Sequence, residues 1–94
     1  MMNATELRKR EVISASTAER LGYVYDLEID FISGRIKSII VPKRFSLFNI
    51  FDKNKEYIIP WKNITAVGDD IILVDMVDNV EIKTKNLNKY EENI

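Results

Sequence analysis

The sequence predicts an all-β protein, a small barrel of about five or six short strands. Short runs rich in β-branched and aromatic residues recur along the chain, and each ends at a glycine, proline or aspartate turn signal. No stretch carries a sustained helical period. With 94 residues, of which 46% are hydrophobic and 31% charged, the chain has the size and composition of one globular domain.

The N-terminal elements are short. Residues 4–9 predict a single helical turn, and residues 11–14 predict a strand. A polar connection over residues 16–20 follows. The first ten residues have no hydrophobic segment after their charges, and no apolar run approaches the ~18 residues of a membrane span. We therefore expect a cytoplasmic protein without a membrane-spanning segment.

Residues 22–42 predict a β-hairpin. Apolar side chains alternate with carboxylates in its first strand, so that the apolar set is expected to face the core. The inward set is Tyr23, Tyr25, Leu27, Ile29 and Phe31, and the outward set is Asp26, Glu28 and Asp30. On this facing, Ile29→Asp should destabilise the fold strongly, whereas Glu28→Lys should be nearly neutral. Gly34 supplies a turn, and the second strand ends at Pro42.

The rest of the barrel is built from shorter segments. Further strands are predicted at 56–59, 64–67 and 71–74. We place the domain at residues 1–78 and a C-terminal tail at 79–94. In that tail, residues 80–83 alternate as one edge strand would, and residues 86–94 have the polar composition of a disordered segment, so their deletion should leave the melting temperature almost unchanged.

An ordered set of short motifs runs through this pattern. They are Leu21-Gly22-Tyr23-Val24-Tyr25-Asp26, Gly34-Arg35-Ile36, Ile59-Pro60-Trp61-Lys62-Asn63-Ile64, Val67-Gly68 and Asp70-Ile71-Ile72-Leu73-Val74. Together they resemble PRC-barrel domains, and the later motifs resemble the YlmC/YmxH sporulation-protein branch. The resemblance covers roughly residues 5–76, and it implies a β-barrel fold and an association with sporulation, without specifying an activity.

Several classes of chemistry are excluded by composition. The chain has no histidine and no cysteine, so thiol nucleophiles, disulfides, Ser-His triads and the usual zinc sites cannot form. Its three glycines stand apart, at 22, 34 and 68, and make no phosphate-binding loop. We therefore predict a protein that is not an enzyme, has no catalytic residues and binds no cofactor.

Two groups of carboxylates are candidates for a metal site. One is the row on the strand 26–30, and the other comprises Asp69, Asp70, Asp75 and Asp78. A row at strand spacing cannot surround a cation, and the second group matches no EF-hand loop. We predict that neither binds a metal and that both are solvated surface.

The connection 43–55 carries the candidate interaction surface. That surface consists of Lys43, Arg44, Phe45, Phe48 and Phe51. Three interpretations compete, in decreasing order of weight. The rings cap the core, they dock on a second copy or another protein, or they stack on single-stranded RNA beside the basic side chains.

These observations favour a non-catalytic function. We expect a cytoplasmic protein-interaction or adaptor module that forms a homodimer or binds an unknown protein partner. The alternative is an RNA- or ribosome-associated module, because PRC-barrels also form the C-terminal half of the ribosome-maturation factor RimM. The net charge of −1 and the pI near 5.4 disfavour a nucleic-acid partner without excluding it.

Overall fold

A computed structural model describes residues 2–43 and 55–84. It contains one short helix, α1, a 3₁₀ helix and eight strands. The bounds are α1 Ala4–Arg8, β1 Glu11–Ser14, β2 Arg20–Tyr23, β3 Asp26–Asp30, β4 Arg35–Pro42, β5 Lys55–Pro60, the 3₁₀ helix Trp61–Asn63, β6 Ile64–Val67, β7 Ile71–Val74 and β8 Glu81–Thr84. The predicted all-β class is confirmed, although the described residues hold more strands than expected.

The strands form two four-stranded sheets. The first sheet has the order β2-β1-β7-β6, in which β1 runs parallel to β7 and the other neighbours are antiparallel. The second sheet has the order β3-β4-β5-β8 and is antiparallel throughout. Consequently β2 and β6 are the edges of the first sheet, and β3 and β8 are the edges of the second.

The core lies between the two sheets. Aliphatic side chains fill it because each strand turns alternate residues toward the opposite sheet. Six of them are fully buried, three from each sheet: Val12, Ile72 and Val74 from the first, and Ile39, Val41 and Ile59 from the second. Leu7 of α1 joins the same cluster and closes one side of it.

The chain changes sheets in the middle of the strand predicted at 22–31. β2 pairs with β1 in the first sheet, whereas the backbone N–H of Tyr25 already donates to the carbonyl of Ile40 on β4, at 2.8 Å. At this crossing Leu21 and Val24 are buried, at 3% exposure each. The predicted hairpin therefore begins at β3, and its alternation does not continue from β2.

The predicted inward facing of this segment is wrong for four of its five residues. Tyr23, Tyr25 and Ile29 are 49%, 59% and 51% exposed, and Phe31 is 92% exposed in the turn after β3. Only Leu27 packs against the core. Besides the change of sheet, a register shift opposite Glu28 and Ile29 disturbs the alternation on β3, which is an edge strand.

The turn of the hairpin is built by an aspartate and a glycine. A carboxylate oxygen of Asp30 accepts the backbone N–H groups of Ile32 and Ser33, at 2.9 and 3.3 Å. Gly34 then takes φ +74°, which a residue with a side chain adopts only at a cost. The predicted role of Gly34 is thereby confirmed.

Candidate interaction surface

The wall of the candidate surface is α1, a helix of five residues. So short a helix is unstable alone and needs tertiary support. The Asn3 side chain caps it by accepting the N–H of Glu6 at 2.9 Å, and Leu7 is buried beneath it. Arg10 ties its end to the turn between β6 and β7, because its guanidinium donates to the carbonyls of Glu6 and Gly68, at 2.8 and 2.7 Å.

Three adjoining grooves run along α1. The first, of about 390 Å³, lies between α1 and the side chains of Leu27, Ile36, Trp61 and Val67. The second is about 200 Å³ and shares Leu27 with the first. The third, of about 530 Å³, is bounded by Tyr23, Tyr25 and Pro42 on one side and by Arg8 and Lys9 on the other.

These grooves share an apolar lining that we call the apolar belt. It consists of Met2, Tyr23, Tyr25, Leu27, Ile29, Ile36, Trp61 and Val67. Six of its members, all but Leu27 and Ile36, are among the large hydrophobic side chains that are at least one-third exposed. Scattered apolar residues on a surface need no explanation, but a continuous strip on so small a domain is typical of a docking surface.

The interaction surface predicted from the sequence lies elsewhere, in the connection 43–55. Of its five residues only Lys43 is described, and Arg44, Phe45, Phe48 and Phe51 lie outside the described residues. The backbone N–H of Lys43 donates to the carbonyl of Lys55 at 2.9 Å, so both ends of the connection start from neighbouring positions on β4 and β5. Lys43 lines a small groove of about 90 Å³ with Leu21 and Tyr57.

An ion pair lies beside that small groove. Arg20 on β2 donates its Nε–H to the Oε2 atom of Glu11 on β1, at 2.9 Å. Hydrogen bonding to Glu11, with its negative charge, raises the pKa of Arg20 above its usual range. The pair fixes the β1–β2 edge and brings no reactive group into the belt.

The belt was not predicted, because its exposed members Tyr23, Tyr25 and Ile29 were expected to face the interior. An indole buries a large area but needs a polar partner for its N–H, which favours a position at the edge of the core. Trp61 is 38% exposed, in agreement with that expectation. For the tyrosines and Ile29, no signal in a single sequence distinguishes a core-facing row from one displaced by a change of sheet.

The described residues also bear on metal binding and on membrane insertion. Within residues 2–43 and 55–84, no three acidic side chains gather in a geometry that would hold a metal ion. Over the same residues, no helix is long and apolar enough to cross a membrane. The apolar belt itself offers apolar contact, with the basic side chains of Arg8 and Lys9 beside it.

Comparisons with known proteins agree with this architecture. The chain matches the PRC-barrel domain family over residues 1–80. It is similar to the Bacillus subtilis protein named "Probable sporulation protein YlmC", with 34% identity over 74 residues that cover 79% of this chain and 91% of that protein. An uncharacterized B. subtilis protein, YmxH, is 30% identical over 84% of this chain and 94% of its own length. An uncharacterized protein of Clostridium acetobutylicum is 35% identical over 73% of this chain and 78% of its own.

Proposed function

The chain belongs to the PRC-barrel family, and from this premise we propose that it is a non-catalytic interaction module that binds another protein through the apolar belt. The observation that carries the proposal is the continuity of the belt along both sides of α1. Exposed aromatic and aliphatic side chains gain free energy when a partner removes them from water.

We propose a second copy of this chain as the occupant of the belt. A domain of this size buries a modest fraction of its surface, and covering the belt in a dimer would add apolar burial that the monomer lacks. The belt contains two tyrosines and one tryptophan. Both types of side chain are enriched at protein interfaces.

A cytoplasmic setting and a connection with sporulation complete the proposal. The former is the expectation from the sequence, and the latter is supported by the name of the similar B. subtilis protein YlmC, which describes that protein. The absence of histidine and cysteine from the whole sequence supports a function without catalysis.

The test compares two isoleucines that are matched in type and exposure. Ile29 lies in the belt and is 51% exposed, whereas Ile82 lies on the other edge strand of the same sheet, outside the belt, and is 55% exposed. We expect the unchanged chain to show a concentration-dependent dimer by multi-angle light scattering. Ile29→Asn should shift this equilibrium to monomer by about tenfold or more, and Ile82→Asn should not.

Urea denaturation of both variants provides the control, because neither substitution should lower the stability of the monomer appreciably. A chain that stays monomeric at every concentration would overturn the dimer. Binding to a single-stranded RNA that weakens steeply with salt, in place of self-association, would favour the RNA-associated alternative.

A further inference from the structure

A second concave surface lies on the outer face of the second sheet, away from the core. Glu28, Ser38 and Pro60 are cross-strand neighbours on this face, since they occupy paired positions on β3, β4 and β5. Ile58 lies beside them on β5. The groove has a volume of about 550 Å³, and Ser38 and Ile58 in its floor are only 4% and 7% exposed.

Both basic and apolar side chains line this outer groove. Arg35 and Lys37 come from the start of β4, and Lys62 comes from the 3₁₀ helix. A fourth cation, Lys83 on β8, is paired with Glu81 at 3.3 Å. The floor and one wall are apolar, formed by Ile36, Ile58, Pro60 and Trp61.

The charge of the outer groove differs from that of the chain. Four basic and two acidic side chains line it, although the whole chain has a net charge of −1. Once the Lys83–Glu81 pair is set aside, three cations face the single carboxylate of Glu28. Lys37 also lies close enough to Asp30 to contribute to lowering the pKa of that carboxyl. Arg35 and Lys62, which lie on two different elements, are the cations that we assign to the ligand.

We infer that the outer groove binds a short acidic peptide segment of a partner protein, with one apolar side chain against Trp61 and Ile58 and with carboxylates beside Arg35 and Lys62. A concave site with an apolar floor and a few polar groups at its rim is the usual form of a binding site. Charge complementarity selects an acidic ligand, because cations outnumber carboxylates around the floor.

A peptide fits this chemistry better than a nucleic acid does. Single-stranded nucleic acids bind over successive aromatic side chains, whereas Trp61 is the single aromatic residue that lines this groove among the described residues. The carboxylates of Glu28 and Glu81 can accept the backbone N–H groups of an extended peptide, whereas a phosphodiester backbone has no N–H donor. The inference goes beyond the proposed function, since it concerns another face of the molecule.

The experiment uses Trp61 as the reporter, because it is the single tryptophan of the chain. The probe is a blocked peptide, Glu-Asp-Ile-Leu-Asp-Glu, titrated into the full chain. We expect a saturable blue shift of the tryptophan emission, with an affinity that falls as salt is added. The same peptide with lysine at each acidic position should leave the emission unchanged.

Charge reversal then assigns the site. Lys62→Glu and Arg35→Glu should each weaken binding of the acidic peptide by about tenfold or more, and the double variant should bind the lysine peptide instead. Lys9→Glu, at the end of α1 and outside the groove, is the matched control and should leave the affinity unchanged. Urea denaturation checks that each variant is folded, and Arg35→Glu replaces Lys62→Glu if the latter fails to fold.

Three results would overturn the inference: no saturable change, binding that is indifferent to both charge reversals, or saturable binding of oligouridylate in place of the acidic peptide. The belt variant Ile29→Asn should bind the acidic peptide as the unchanged chain does. A failure of the belt as a dimer interface and a failure of the outer groove are therefore distinguishable.

Discussion

Asn63, at the end of the 3₁₀ helix, joins that helix to the segment that follows β7. Its amide donates to the carbonyl of Asp75 and to the side chain of Asn79, at 2.9 and 2.7 Å, and the amide of Asn79 donates back at 3.0 Å. The backbone carbonyl of Asn63 accepts the backbone N–H of Asp75 at 2.8 Å. Only 5% of Asn63 is exposed, so these bonds replace water that cannot reach it.

Removing this side chain should be costly. We expect Asn63→Ala to lower the free energy of unfolding by about 2 to 3 kcal/mol, because it deletes several hydrogen bonds and leaves the carbonyl of Asp75 without the donor it has in the native chain. The neighbouring Lys62→Ala, at an exposed position of the same turn, should change it by less than about 0.5 kcal/mol. Urea denaturation measures both, and equal effects would contradict the role given to Asn63.

The carboxylate of Asp30 gives the hairpin turn a dependence on pH. The backbone N–H groups of Ile32 and Ser33, which donate to it, lower the pKa of Asp30 below its ordinary value, with smaller contributions from the side chains of Ser33 and Lys37. The contribution of Asp30 to stability is therefore present above the pKa of the unfolded chain, and it is lost as pH falls through the lower pKa of the folded chain.

Nuclear magnetic resonance tests this directly. The amide shifts of Ile32 and Ser33 should follow the titration of Asp30, with a midpoint below the ordinary aspartate pKa of about 3.9. In Asp30→Ala these amides should lose that titration and become less protected from hydrogen exchange at neutral pH. A midpoint at or above the ordinary value would show that the two N–H groups do not stabilise the carboxylate.

At the level of elements, the limits of the strands follow from local signals. Pro42 and Pro60 close β4 and β5, and β1, β6 and β7 have the predicted bounds 11–14, 64–67 and 71–74. The orientation of the 22–31 segment could not be predicted in this way. Alternation specifies a facing only while the strand stays in one sheet, and here the chain crosses to the other sheet at residues 24–25.

The contacts between distant parts of the chain could not be predicted from local signals either. The hydrogen-bonded pair of Asn63 and Asn79 joins positions 16 residues apart, and the outer groove brings together β3, β4, β5 and β8. A single sequence carries no signal of such proximity. The lone tryptophan was informative, because an indole prefers the edge of a core whatever the topology. The rings of the 43–55 connection remain a prediction, since Phe45, Phe48 and Phe51 lie outside the described residues.

The corrected orientation of β3 has a measurable consequence. Leu27→Asp should lower the free energy of unfolding by about 3 kcal/mol or more, because Leu27 packs against the core and a charge there would lose hydration. Ile29→Asp should cost less than about 1 kcal/mol, because the side chain is half exposed. Chemical denaturation that gave a larger loss for Ile29→Asp than for Leu27→Asp would restore the inward row.

On the scale of the whole molecule, Trp61 and Ile36 lie where the belt and the outer groove meet, since both side chains line the two surfaces. The belt is bounded by α1, and the outer groove by the far face of the second sheet. A partner that covers Trp61 at the belt would therefore compete with a ligand in the outer groove. The two proposed binding events should therefore be coupled through Trp61 and Ile36.

The two sheets share one core, so they should unfold together. Ile72 of the first sheet and Ile39 of the second are fully buried in the same cluster, and Val24 is buried where the chain crosses between the sheets. We expect Ile39→Ala and Ile72→Ala each to cost about 2 to 5 kcal/mol. The dependence of the unfolding free energy on urea concentration should keep its slope, as in a two-state transition.

Amide hydrogen exchange distinguishes a shared core from two independent halves. In a shared core, either substitution lowers the protection of β1 and β4 by the same free energy, because the slowest amides of both strands exchange through global unfolding. In independent halves, Ile72→Ala would accelerate exchange in β1 and leave β4 protected. The cluster that joins Val12, Ile39 and Ile72 predicts the first outcome, and it makes the paired sheets the common frame of both proposed binding surfaces.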